Sequence, residues 1–354
     1  MNILILFPRF GIGGIAKASS FVANTLADGG HKVICVSMSD EESIVRLGDQ
    51  IEKIYIPYEK GGIIRGKDKA LFVIRMRSVL KSKRIECAIA LGTDLVRIMA
   101  ISSLGMKVFL IGSERGNPYF YTDKEKKKYT WALSKCKGVV FQTPEAKAYY
   151  PLAVQKNSKI IPNPCYINSE GGIVKSDLSR KVILVVSRIS KEKNVLGIVK
   201  AFNKACDVIK DYELHIYGDG NRKAEIVNYV EKNSINGVRF YPNTKDPFEL
   251  EAGASLFIIN SVTEGMPNSL IEAMMYGIPC IASDCPPGGV RFLASNGERA
   301  CLVPVSDDEK LSEAIIKVTQ NEDYRNKLVQ ASAQIVDELD PKLIGQKWMD
   351  LIHA

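Results

Sequence analysis

Short apolar runs alternate with helical patterns along the whole chain. Asn2–Pro8 (NILILFP) is apolar on both faces of a strand, the pattern of a strand buried in a parallel sheet. Residues 15–29 then place Ile15, Ser19, Val22, Ala23 and Leu26 on one helical face, and Gly29-Gly30 ends that helix. Further strands are predicted at 31–37, 52–57, 86–91, 107–113 and 137–142, with helices between most of them, among them 68–82 and 123–136. The Pro-rich break IIPNPC (160–165) and the polar, Gly-bearing stretch SEGGIVKSDLSRK (169–181) interrupt the alternation, which then restarts. Strands follow at 181–189, 212–220, 237–242, 254–261 and 278–284, and helices at 194–208, 222–233 and 268–276. The tail reads as helices near 308–319, 321–337 and 341–353. Strands alternating with helices predict an α/β chain with two parallel sheets, each covered on both faces. The expected division is 1–165 and 166–340, with 341–354 returning to the first domain as a terminal helix. Open parallel sheets bind ligands at the carboxyl ends of their strands, so two such Rossmann-like domains are expected to face each other across a cleft.

Composition narrows this little: 354 residues, 46% hydrophobic and 25% charged, are ordinary for a globular chain and exclude collagen-like or wholly disordered classes. No apolar run reaches the roughly 18 residues that span a bilayer. The first residues lack a basic leader and read as a strand rather than a signal peptide. The eight cysteines form no CxxC pair and there are only three histidines, so buried reduced thiols are expected and a zinc site is not. Charge is more informative. Residues 1–170 carry 26 Lys+Arg against 15 Asp+Glu, and residues 171–354 carry 22 against 25. A basic half beside a near-neutral one suggests a surface that meets something anionic: lipid headgroups, a pyrophosphate-bearing molecule or nucleic acid.

Four loops at predicted strand ends carry candidate chemistry. Gly11-Ile12-Gly13-Gly14 precedes the first helix, where glycines permit close backbone approach and the helix N-terminus favours an anion. It is not GxGxxG, because Ala16 occupies the third glycine position, and no acidic residue ends the second strand to hold a ribose, so a dinucleotide site is disfavoured. Ser187-Arg188-Ile189-Ser190-Lys191-Glu192-Lys193-Asn194 offers two cations, Arg188 and Lys193, suited to a diphosphate. Tyr217-Gly218-Asp219-Gly220 is either a nucleotide-approach loop or an ordinary tight turn. The strongest signal is Ser261-Val262-Thr263-Glu264-Gly265-Met266-Pro267-Asn268-Ser269-Leu270-Ile271-Glu272. A strand ends near Ser261 and a helix starts near Asn268, with Asn268 or Ser269 as its expected cap and its first N–H groups available to a phosphate. Glu272, among apolar helix neighbours, needs a partner, and its two oxygens suit two ribose hydroxyls.

The E-x7-E pattern from Glu264 to Glu272, within S-x-x-E-G-M-P-N-S-L-I-E-A-M-x-x-G-I-P, resembles the signature of retaining glycosyltransferases of family 4, with the GT-B fold. Gly13-Gly14, Ile161-Pro162-Asn163-Pro164, Ser187-Arg188 with Lys193-Asn194, and Tyr217-Gly218-Asp219-Gly220 fall in that family's order, so the resemblance covers nearly the whole chain. Ser113-Glu114-Arg115-Gly116-Asn117-Pro118 also resembles a stretch of bacterial members that build surface polysaccharides. The resemblance implies that Arg188 and Lys193 hold the donor diphosphate and that Glu264 contacts the donor sugar with the backbone of Gly265, Met266 and Pro267. The backbone of Asn268, Ser269 and Leu270 would contact phosphate, Glu272 the ribose, and Gly218 and Gly220 the nucleotide. Gly13 and Gly14 would approach the diphosphate from the acceptor side. Many members carry a histidine where this chain has Glu114-Arg115. Arginine does not act as a base at neutral pH, so Arg115 is assigned an electrostatic role, with Glu114 orienting it.

The expected reaction is retaining transfer of a hexose or N-acetylhexosamine from a nucleoside diphosphate sugar, UDP-sugar favoured. The acceptor is lipid-linked or oligosaccharide, as in capsule, O-antigen or exopolysaccharide biosynthesis. No DxD-like pair follows a strand, so no cofactor and no essential metal is expected. Basic residues crowd 65–84 (Arg65, Lys67, Lys69, Arg75, Arg77, Lys81, Lys83, Arg84), interleaved with Phe72, Ile74, Met76, Val79 and Leu80. Lys124, Lys126, Lys127 and Lys128 form a second cluster. These suggest an anionic inner membrane leaflet and a polyprenyl-diphosphate-linked saccharide, with the enzyme peripheral to the cytoplasmic face; a solvated basic helix remains the alternative. A GT-B-fold epimerase or hydrolase would use catalytic carboxylates and a histidine pair, and the scarcity of histidine counts against it. A nucleic-acid binder would leave the two glutamates unexplained, so no nucleic-acid partner is expected.

Overall fold

The computed structural model describes residues 1–8, 14–39, 46–57, 66–165, 175–244 and 246–353, without the side chain of Lys67. The chain forms two compact units, Met1–Asn163 with Pro341–Ala354, and Pro164–Asp340. Each is a Rossmann-like unit built on a parallel sheet, as the alternation of strands and helices predicts.

In the first unit the strands are β1 (Asn2–Phe7), β2 (Lys32–Ser37), β3 (Glu52–Tyr55), β4 (Cys87–Leu91), β5 (Phe109–Ser113), β6 (Gly138–Phe141) and β7 (Ser158–Ile160). Their spatial order is β3-β2-β1-β4-β5-β6-β7. Strands β1 and β4 are neighbours in register Ile3 to Cys87, and chain order reverses between them. Ile3 through Phe7 are wholly buried, which is what an apolar run covered by helices on both faces requires. Helix Pro341–Ile352 packs on helix Gly14–Asp28 in this unit, with Ile344, Trp348, Leu351 and Ile352 buried. Gly345 faces Thr25, where a Cβ would stand 3.0 Å from that side chain.

In the second unit β8 (Arg180–Val186), β9 (Glu213–Tyr217), β10 (Val238–Tyr241), β11 (Ala254–Ile259), β12 (Cys280–Ser283) and β13 (Cys301–Val303) are ordered β10-β9-β8-β11-β12-β13. Here the reversal lies between β8 and β11. Helix Val195–Ala205 covers the sheet with Val195, Ile198, Val199, Phe202 and Ala205, joined by Leu311, Ile315 and Val318 of helix Asp308–Gln320.

Two expectations are corrected at this level, and two short strands add to them. The short strands β7 and β13 were not marked by the sequence pattern, because three residues carry no periodicity. The segment expected as one helix over 321–337 is two, Glu322–Ser332 and Ile335–Glu338. In helix Gly66–Ser82, Phe72, Met76 and Leu80 are core residues rather than part of an external apolar face. All eight cysteines are free and six are buried. Burial raises the thiols of Cys87, Cys136, Cys165 and Cys285 to about 12, so they remain protonated near neutrality.

Candidate active site

The second unit presents its strand-end loops where β8 and β11 diverge, the crevice in which open parallel sheets take ligands. The loop after β8 is tied to the loop after β9. Ser187 N–H donates to Tyr217 O at 3.1 Å, Ile189 N–H to Asp219 O at 2.8 Å, and Arg222 N–H to Ile189 O at 3.1 Å. This seating explains two glycines. A Cβ on Gly218 would lie 1.9 Å from Ser187 O, and one on Gly220 would lie 2.2 Å from Ile189 O. The space those residues leave is occupied by the chain's own backbone. Their smallness is required by loop packing before any ligand is considered.

Lys193 ends the single turn Lys191–Lys193, after which Asn194 adopts a left-handed conformation (φ 45°, ψ 43°) and starts helix Val195–Ala205. The turn is anchored across the sheet by Val262 N–H donating to Glu192 O at 2.8 Å. The Lys193 ammonium pairs with the Glu264 carboxylate. Their side chains are only 17% and 10% exposed, so both charges are largely removed from water. Ser261 Oγ donates to the same Glu264 oxygen at 2.7 Å, and Glu264 N–H donates to Pro286 O at 3.2 Å. Ser283 Oγ in turn donates to Ser261 O at 2.6 Å. Lys193 and Glu264, 71 residues apart in sequence, thus form one polar centre between the loops after β8 and β11. Arg188 differs: its side chain is 75% exposed and its guanidinium stands 3.4 Å from Glu192.

The loop after β11 leads into helix Asn268–Met275. The expected cap by Asn268 or Ser269 is not formed. Pro267 holds the cap position and no side-chain cap bond is made, while Leu270 N–H donates to Pro267 O at 3.2 Å. Proline's fixed φ suits a helix entry, but its side chain has no acceptor to offer. Met266 and Pro267 are buried, Gly265, Asn268, Ser269 and Glu272 half-buried, and Leu270 lies in the core. The loop is also seated backbone to backbone, because a Cβ on Gly289 would lie 1.7 Å from Gly265 O.

Ser261 and Asn260 were not singled out as site residues. Ser261 opens the S-x-x-E pattern, and that spacing was the available signal. Asn260 carries no sequence signal. Its side-chain amide is buried without a hydrogen-bond partner among the described residues, a costly placement at the end of β11.

In the first unit Gly13 lies outside the described residues, and Gly14 is the first residue of helix Gly14–Asp28, where an added Cβ would meet nothing within 4 Å among the described residues. The loop after β5 is held by Glu114, which is 2% exposed. Its carboxyl group accepts from Arg115 N–H at 2.9 Å, Gly116 N–H at 2.8 Å, Tyr121 OH at 2.9 Å and Tyr150 OH. Burial raises the pKa of Glu114, against the opposing pull of the Tyr150 hydroxyl, the Gly116 N–H, the Tyr121 hydroxyl and the Arg115 N–H. Arg115, half-buried, gives Nε–H to Ser113 Oγ at 2.9 Å and Nη1–H to Asn163 Oδ1 at 2.7 Å.

Of the basic residues around 65–84, Arg65 lies outside the described residues, as does the Lys67 side chain. Arg77 is engaged with the carbonyls of Ser102 and Leu104, both at 2.8 Å, and Lys83 with Glu52. Lys69, Leu71, Ile74, Arg75 and Lys81 remain on the exposed side. Lys124, Lys126, Lys127 and Lys128 are exposed on helix Asp123–Ser134, which its Thr122–Glu125 capping box starts. Among them a shallow groove is lined by Arg97, Ile101, Lys127, Lys128 and Trp131. Among the described residues no group of three or more His, Cys, Asp or Glu side chains is placed to hold a metal ion.

Residues 172–335 match the family described as Glycosyl transferases group 1. Over its whole length the chain is 24% identical to an enzyme of Campylobacter jejuni, with 99% of this chain and 98% of that one covered. That enzyme is the GalNAc-alpha-(1->4)-GalNAc-alpha-(1->3)-diNAcBac-PP-undecaprenol alpha-1,4-N-acetyl-D-galactosaminyltransferase. The present chain is 23% identical to the amylovoran biosynthesis glycosyltransferase AmsD of Erwinia amylovora, over 96% of each chain. Among solved structures, HepE of Anabaena in complex with UDP and glucose superposes with a TM-score of 0.82 at 16% identity, over 99% of each chain.

Proposed function

We propose that this glycosyltransferase, whose second unit carries a group 1 domain over residues 172–335, is a retaining enzyme of family 4 that uses a UDP-sugar donor. The observation that carries the reading is the Lys193–Glu264–Ser261 centre at the divergence of β8 and β11, inside the group 1 domain. Lys193 supplies positive charge for the departing β-phosphate, and Arg188, at the mouth of the same loop, supplies a second cation. The start of helix Asn268–Met275 adds oriented N–H groups. Glu264, paired with that ammonium, is assigned to the donor sugar, where it balances the positive charge that develops at the anomeric carbon. Glu272 takes the ribose hydroxyls.

In the reaction the bond from the anomeric carbon to the phosphate oxygen breaks and a bond to the acceptor oxygen forms on the same face. The acceptor's hydroxyl proton passes to the departing phosphate oxygen. Arg115 is assigned an electrostatic role toward phosphate charge. With these cations in place the transfer needs no divalent ion. UDP in the HepE complex supports the choice of base. Thermal shift against UDP-, GDP- and ADP-sugars tests it. A UDP-sugar at 100 times its dissociation constant is expected to stabilise the chain by about 2.7 kcal/mol. Stabilisation by GDP- or ADP-sugars alone would contradict the UDP assignment, and a product of inverted anomeric configuration by NMR would contradict retention.

The acceptor is a polyprenyl-diphosphate-linked saccharide, reached at the inner membrane leaflet from the cytoplasmic face, in the assembly of a surface polysaccharide. Support comes from the exposed basic residues of helices Gly66–Ser82 and Asp123–Ser134, with Leu71, Ile74 and Trp131 exposed among them. The undecaprenol-linked name of the Campylobacter relative and the polysaccharide name of the Erwinia relative agree with it. No helix among the described residues is long and apolar enough to cross a membrane. The chain is expected to sediment with vesicles containing phosphatidylglycerol and not with pure phosphatidylcholine. Lys127→Glu with Lys128→Glu should weaken that binding at least about thirtyfold, because each basic residue near the surface is worth about 1 kcal/mol and the two together about 2 kcal/mol. Equal recovery with both lipids would contradict it.

A further inference from the structure

We infer that Asn163 and Trp348 are positioning residues that aim Arg115, fastening its guanidinium to the residue at which the chain leaves the first unit and to the helix by which it returns. The inference rests on the electrostatic role given to Arg115 above. Asn163 is the last residue of the unit before the chain passes into the second, and the chain returns at Pro341 into the helix that bears Trp348. Arg115 Nη1 donates to Asn163 Oδ1 at 2.7 Å, and its Cζ stands 5.9 Å from the centre of the Trp348 ring. Asn163 is 5% exposed and Trp348 1% exposed, so both supports are fixed by the core.

A third support comes from β5. Ser113 Oγ accepts from Arg115 Nε at 2.9 Å while donating its own proton to Val140 O at 3.0 Å. Glu114 fixes the backbone at Arg115 and Gly116. A flexible arginine is thereby held in one orientation before any phosphate arrives, which is what electrostatic stabilisation of a departing phosphate requires. An indole face beneath the guanidinium adds a cation–π attraction without consuming an N–H donor. The outgoing and returning segments also meet within the second unit, where Cys165 N–H donates to Leu339 O at 2.8 Å. The motif I-P-N-P and the terminal helix thus share a task that neither shows in the sequence alone.

The test measures UDP release from UDP-glucose, UDP-N-acetylglucosamine and UDP-N-acetylgalactosamine by Arg115→Ala, Asn163→Ala, their double variant, Trp348→Leu and Trp348→Phe. Arg115→Ala should lower kcat about 100-fold. Asn163→Ala should lower it about tenfold with donor KM within about twofold of wild type. The double variant should be no worse than Arg115→Ala, because residues acting through one group are not additive. Trp348→Phe should recover most of what Trp348→Leu loses. In 15N spectra the Arg115 Nε–H signal, identified by its loss in Arg115→Lys, should be sharp in wild type and broadened in Asn163→Ala. That arm does not depend on turnover or on the larger Trp348 change. Wild-type turnover in Arg115→Ala would overturn the role of Arg115 itself. Impaired Arg115→Ala beside normal Asn163→Ala, or an unchanged Nε–H signal, would overturn the positioning inference alone.

Discussion

Lys193→Ala is expected to remove most turnover and to weaken the fold at the same time. The ammonium it deletes pairs with Glu264 in a site where both side chains are largely buried. Deleting one partner of such a pair leaves a carboxylate without its counter-charge, at a cost of about 3–5 kcal/mol. The same deletion removes the cation proposed to face the departing phosphate, for which a loss of about 100- to 1000-fold in kcat is expected. The two effects separate in Lys193→Ala with Glu264→Gln. Neutralising the stranded carboxylate should restore most of the stability, read by urea unfolding, and none of the turnover. Arg188→Ala is the contrast. Its side chain is 75% exposed, so turnover should fall while the unfolding midpoint stays put. Near-normal rates in the Arg188 and Lys193 double variant would reject both assignments.

Gly289→Ala has the second largest expected effect. The added Cβ would lie 1.7 Å from the carbonyl oxygen of Gly265, and both partners are backbone, so no side-chain rotation relieves the clash. The loop of Gly265 to Pro267 has to move away, taking with it the start of helix Asn268–Met275. A loss of about 3 kcal/mol is expected from overpacking of this kind. Donor affinity should fall with it, because the loop proposed to contact the sugar is the one displaced. A Gly289→Ala protein with wild-type melting temperature and wild-type donor affinity would show that the loop's seating is not what shapes the site.

Much of this architecture is legible in the sequence because parallel strands buried on both faces write long apolar runs, as in Ile3–Phe7 and Ala254–Ile259. Loops at the ends of such strands are then the natural places to look for chemistry. What the sequence hides are pairings between distant residues. Lys193 and Glu264 each look like ligand contacts in the sequence, and nothing in their spacing says that they hold one another. The same is true of Arg115 and Asn163, which lie 48 residues apart. Local rules also failed where two applied at once. Asn268 and Ser269 are good caps by propensity, yet Pro267 precedes them and takes the cap position itself. Gly218 and Gly220 look like a nucleotide loop, but their smallness is already demanded by Ser187 and Ile189. Phe72, Met76 and Leu80 look like one half of an amphipathic surface until the helix is seen to bury them in the core.

The most direct measurement of the central claim is calorimetric titration of the full chain with UDP in the presence of EDTA, for wild type and for Glu272→Ala. Saturable binding without added metal is expected, weakened at least tenfold when the carboxylate proposed to hold the ribose is removed. Binding that requires a divalent ion, or equal affinity in the two proteins, would contradict it.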